Sequence, residues 1–186
     1  MEALKPGPRI LEAFEDYAPP FSASESIGRM LKVVPPELLH ELDAIVLTNA
    51  AALSEKERGR KTWGHENVPL DQSMGYYSPG RNGEQARITL LVDNIEKSWG
   101  RPWFRIGIVR EAMVSEILFH EIDLHVRRIP KLEYAGNENG SQSWSNKLSR
   151  RFMRDRYGHL LPIAAPIFLT IGVGKEFGRI YRRTRN

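Results

Sequence analysis

The chain has 186 residues, a formal net charge of +4, 41% hydrophobic and 27% charged residues, and no cysteine. That length suits one well-buried domain, here residues 1 to 186, and the composition is that of a globular chain rather than a disordered or membrane-spanning one. The missing cysteine excludes disulfides, thiolate metal sites and cysteine nucleophiles, so any metal must be held by His, Asp or Glu.

Met1 to Pro20 contains no apolar run of the secretory kind, and Pro6, Pro8 and four acidic residues argue against one, which predicts a cytoplasmic location. Pro8 opens a predicted short helix with Ile10, Leu11, Phe14 and Tyr17 on its inner face, stopped by Pro19-Pro20. A second helix starts near Ser24 with Ile27, Met30, Leu31 and Val34 inward, and Pro35-Pro36 begins a third, short one that runs through Leu42. Ala44 to Asn49 reads as a buried strand, because Ile45, Val46 and Leu47 form a continuous apolar run too short for a helix. Residues 54 to 67 read as a charged loop in which Lys56, Arg58, Arg60 and Lys61 interleave with Glu55, Glu57 and Glu66, a solvated pattern with His65 exposed within it.

Met74 to Tyr77 and Ala86 to Val92 read as two strands around a turn marked by Ser-Pro-Gly-Arg-Asn-Gly. Trp99, Trp103 and Phe104 cluster in the connection that follows, and burial against the next helix is the expected use of such a cluster. That helix runs from about Val109 to Arg128. Val114, Leu118, Ile122 and Val126 recur at a spacing of four and mark its buried stripe, and Pro130 ends it.

Within the helix lies the densest group of metal-capable residues, His120-Glu121-Ile122-Asp123-Leu124-His125. Zinc hydrolases place two imidazoles and a carboxylate on one helix, the imidazoles binding the metal and the carboxylate taking a proton from metal-bound water. His120 and Glu121 suit those roles. His125 lies five residues after His120, where the usual spacing is four. At about 100° per residue, five residues leave the two side chains roughly 140° apart. A one-residue π-bulge would close that gap, although Asp123 and Leu124 supply no local reason for one. The bland alternatives are a core-edge His120 bonded to Glu116 or Asp123, and a surface ion pair between Glu121 and His125.

Phe119-His-Glu-Ile-Asp-Leu-His-Val126 resembles the Phe-His-Glu-Ile-Gly-His-His-Val run of small bacterial zincin-like metallopeptidases, with Asp123 in place of glycine and Leu124 in place of histidine. Val34-Pro-Pro-Glu-Leu-Leu, Ile45-Val-Leu-Thr-Asn49, Gly75-Tyr-Tyr and Ile88-Thr-Leu-Leu-Val-Asp-Asn-Ile95 extend the likeness over residues 33 to 157, leaving 158 to 186 as a basic and apolar C-terminal extension. The resemblance implies an α+β, zincin-like domain. In it a small mixed sheet packs on a long His-Glu helix, with further helices at both ends. It also implies one zinc ion held by His120, His125 and Glu138, with Glu121 as general base for peptide hydrolysis. Glu138 enters because the group draws its third ligand from an acidic segment before a Trp-containing helix. Here that segment is Asn137-Glu-Asn-Gly-Ser-Gln-Ser-Trp144, with Gln142 where aspartate is expected. The dipeptidyl peptidase III family carries a five-residue His spacing, and only that spacing is shared.

After Glu133 and Glu138 in a loop, Ser143 opens a predicted helix with Trp144, Leu148, Phe152 and Met153 on one face and Lys147, Arg150, Arg151, Arg154 and Arg156 on the other. Residues 147 to 186 carry ten Lys or Arg against two acidic groups, and the first 146 carry 17 against 21. Leu160 to Val173 is apolar but holds Pro162 and Pro166 and is shorter than the roughly 20 residues that span a bilayer. Two functions follow as expectations. One is a zinc metallopeptidase acting on a peptide or protein substrate. The other is a catalytically dead zincin-fold protein whose residues 147 to 186 associate with nucleic acid, an anionic membrane surface or a protein partner.

Overall fold

The computed structural model describes residues 7–62, 68–80, 85–129 and 138–160, with side chains from Trp144 onward in the last segment. The apolar run from Leu160 therefore lies almost wholly outside the described residues. The chain divides into two compact units, Met1–Phe152 and Met153–Asn186. The first is a mixed α+β fold, with strand β1 (Arg9–Ala13), helix α1 (Ala23–Leu31), strand β2 (Leu42–Thr48) and the single turn α2 (Glu55–Arg58). Strands β3 (Gly75–Ser78) and β4 (Ala86–Leu91) follow, then helices α3 (Val92–Trp99), α4 (Arg101–Phe104) and α5 (Gly107–Val126). Helix α6 (Glu138–Tyr157) crosses the division between the units.

The four strands lie in the order β1-β2-β4-β3. Ile10, Ile45 and Ile88 stand in register across the parallel strands β1, β2 and β4, and β3 runs antiparallel at one edge with Tyr77 opposite Ile88. β2 and β4 are buried along nearly their whole length, as strands covered on both faces must be, and this explains their continuous apolar runs. Successive side chains of a strand face opposite sides. On β3, Tyr76 accordingly joins Leu53, Leu70 and Leu91 in one cluster while Tyr77 packs edge-to-face on His125 of α5.

The N-terminal segment differs from its sequence pattern, because residues 9–13 form a strand and not the first part of a helix. Helical period is a weak preference over so short a stretch, and the open edge of β2 offers a ladder that fixes five residues at once. Side chains secure it. Thr48 Oγ1 donates to the Ala13 carbonyl at 2.6 Å, and the Asn49 amide both donates to the Glu15 carbonyl and accepts from the Glu15 N–H.

Three further boundaries move. A one-turn helix, closed by a Ser54–Glu57 capping box, interrupts the charged loop. The connection after β4 holds α3 and α4, which bury Phe104 edge-to-face against Phe21. α6 begins at Glu138 and not at Ser143, so Glu138 lies in the first turn of a helix and not in a loop.

α5 is the centre of the unit. Val114, Leu118, Ile122 and Val126 are buried as the spacing predicts, but so are Glu111, Glu121, Asp123, Leu124 and His125, which leaves only a narrow exposed flank. β3 meets it closely at Gly75. A Cβ there would stand 2.9 Å from Ile117 Cγ2 and 3.0 Å from Leu90 Cδ2, so glycine is what lets strand and helix approach.

Candidate functional site

α5 is an uninterrupted α-helix, which decides the arrangement of the His-Glu residues. With no π-turn in it, His120 and His125 point about 140° apart, and their surroundings differ accordingly. His120 is exposed, whereas His125 is 1% exposed.

His125 is committed to the fold at both ring nitrogens. Nε2 lies 2.8 Å from the His40 carbonyl, which can only accept, so Nε2 carries the proton. Nδ1, 3.2 Å from the Tyr77 hydroxyl, then accepts from it. Burial holds the imidazole pKa below its ordinary value, outweighing the raising effect of the His40 carbonyl, consistent with this neutral tautomer. The ring thus ties α5 to β3 and to the 3₁₀ turn Pro36–Leu39, just before Glu41, which adopts a positive φ of 67°. Zinc needs a bare imidazole lone pair. As placed, His120 and His125 do not fit one shared ion.

Glu121 is 5% exposed and lies on the helix face shared by Val114, Leu118 and His125. It is not half of a surface ion pair with His125, since both residues are buried and the His125 ring is bonded to Tyr77 and His40. His120 is exposed and not at the core edge, and the Asp123 carboxylate is engaged by Arg127 at 2.8 Å. Asp123, at the glycine position of the resembling motif, therefore serves as a buried ion-pair partner on its own helix. Leu124 occupies the flank of His120, one turn along, and is 8% exposed. The side chains of Glu138 and Gln142, and Glu133 and His65 entirely, lie outside the described residues. Among the described residues no three His, Asp or Glu side chains are grouped to hold a metal ion.

Two further polar anchors, which belong to no motif, lie around α5 and α3. The Glu111 carboxylate is buried between α5 and α1, accepting from Arg29 at 2.6 Å and from Ser26 Oγ at 3.2 Å. Glu96 on α3 accepts from the Tyr17 hydroxyl at 2.8 Å and from Arg101 at 3.2 Å, and burial together with that carboxylate raises the Tyr17 pKa. One signal was present in the sequence. Glu111 and His125 both fall in register with Val114 and Leu118, and a polar residue on a core stripe requires a buried partner.

The described part of α6 presents two unlike faces. Ser145, Leu148 and Phe152 are buried, and Ser149 Oγ lies 3.4 Å from Ser115 Oγ of α5. Lys147, Arg150 and Arg151 are exposed. In the second unit Arg154 and Arg156 are exposed too, with Arg154 3.6 Å from Asp155 and Arg156 over the Tyr157 ring. No described helix is long and apolar enough to cross a membrane. No family model, curated protein or solved structure matches this chain.

Proposed function

We propose that this chain is a zincin-like domain that has given up zinc-peptidase chemistry and acts by binding an anionic partner through its basic C-terminal part. The zincin-like reading draws support from the motif around His120 and Glu121 and from the antiparallel edge strand β3 lying against the His-Glu helix. In a working peptidase such an edge receives the substrate main chain. The single observation that carries the loss of chemistry is His125. Its two ring nitrogens are engaged by His40 and Tyr77 on the far side of a regular helix from the His120 flank.

The deciding experiment is elemental analysis of chelator-free protein combined with peptide cleavage by wild type and Glu121→Gln. The expected outcome is well under one zinc per chain and no chelator-sensitive cleavage. Robust cleavage that vanishes in both Glu121→Gln and His125→Ala would restore the peptidase reading, with the five-residue spacing as its working ligand pair.

A further inference from the structure

We infer that the outward face of α6, built from Lys147, Arg150 and Arg151, binds the phosphate backbone of nucleic acid. This rests on the binding-domain reading above and names its partner class and its residues.

Helical geometry puts the three cations within about 100° of arc and about 6 Å of helix rise, so they act on a partner together. All three are exposed. The chain from Lys147 to Tyr157 holds five basic residues against the single acid Asp155. Two of the three cations on this face are arginines, whose planar fork suits phosphate oxygens.

The opposite face chooses between the anionic partners. A helix that lies on a membrane surface must bury its own apolar side among the lipids. Here Leu148 and Phe152 are 6% and 3% exposed, and Ser149 meets Ser115 of α5. The apolar side is already used within the protein, which leaves charge alone to hold α6 to a lipid surface. A nucleic-acid duplex requires no insertion and offers one negative charge per about 1.7 Å of its axis.

The test is fluorescence anisotropy of the full chain with a labelled 30-base-pair DNA duplex, run beside sedimentation with phosphatidylserine vesicles. Three phosphate contacts predict that affinity falls roughly 40-fold between 50 and 200 mM salt. The triple variant K147Q/R150Q/R151Q should lose tenfold or more at 50 mM and show a flatter salt dependence. Its thermal melt should stay cooperative, because glutamine matches lysine and arginine in helix preference. Lys56→Gln with Lys61→Gln, removing two exposed cations elsewhere, should leave duplex binding unchanged.

Undiminished duplex binding by the folded triple variant would overturn the proposal while leaving a binding domain with its site elsewhere. Vesicle binding without duplex binding would overturn it in favour of a membrane. Failure to bind either probe at 50 mM salt would remove both the proposal and the anionic partner beneath it. The cleavage assay, by contrast, tests the loss of chemistry independently of either probe.

Discussion

α5 and α6 are both helices of 20 residues rich in charged groups, and they use those groups in opposite ways. α5 is enclosed, and three of the ionisable side chains it buries are held by partners: Glu111 by Arg29 and Ser26, Asp123 by Arg127, and His125 by Tyr77 and His40. The described part of α6 buries one seam and leaves Lys147, Arg150 and Arg151 in solvent. The difference teaches that charge is available for binding only where the other face of the helix has already been satisfied. On α5, His125, which looks like a metal ligand, is a strut.

His125→Ala should separate the two helices most sharply. Losing a buried ring and leaving the Tyr77 hydroxyl and His40 carbonyl without it should cost about 3 kcal/mol in urea unfolding. A cost under about 0.5 kcal/mol would mean that His125 is no strut.

Leu124→His tests the same geometry from the other side. It places an imidazole four residues from His120 on one flank, so zinc affinity measured by calorimetry should rise well above wild type. Adding His125→Ala should not reverse that gain. Reversal would mean that His125 reaches the metal through a bulged helix.

Gly75→Ala is expected to cost about 1 kcal/mol by pressing on Ile117. Ile117→Leu, which removes the β-branched methyl that the new Cβ would meet, should recover part of it. Simple additivity of the two changes in thermal melts would contradict the tight approach of β3 to α5.

The fold should also report its buried groups through pH. His125 has a folded pKa below its unfolded value, so the unfolded chain binds the extra proton. Its contribution is fully present above about pH 6.5 and is lost as the pH falls towards the folded pKa. Glu116 works in the opposite sense. Burial raises its carboxyl pKa, so it weakens the fold as the pH rises through that value, and Glu116→Gln should stabilise the protein at neutral pH. Unfolding followed between pH 5 and 8 in wild type and both variants checks the two signs. The smallest effect belongs to α6, where Arg150→Gln should change stability by under about 0.5 kcal/mol. A larger loss would mean that its exposed face also supports the fold.

Much of the frame was legible in the residues. The apolar runs of β2 and β4 are continuous because both faces of those strands are covered, and the spacing of Val114, Leu118, Ile122 and Val126 marks a buried helix face. β1 was not legible. Ile10, Leu11, Phe14 and Tyr17 satisfy a helical period, and what makes residues 9–13 a strand is the open edge of β2, more than 30 residues away. The short helices α3 and α4 were hidden for a related reason, since their tryptophans and Phe104 read equally well as a packed connection.

The sequence by itself determined which groups are present: two histidines five apart, a carboxylate between them, and an excess of cations after residue 146. Helix geometry could say that the histidines diverge in a regular helix, but not whether the helix is regular. That was decided by tertiary structure. The Tyr77 hydroxyl from β3 and the His40 carbonyl from the preceding turn meet the His125 ring from elements 48 and 85 residues away, and hold it on the core side of an unbroken α5. The same kind of long-range packing buries Leu148 and Phe152 and so leaves the cations of α6 facing outward. The two faces of α6 were legible in its helical period, whereas the partners of His125 were not, because they depend on which distant surface the helix meets.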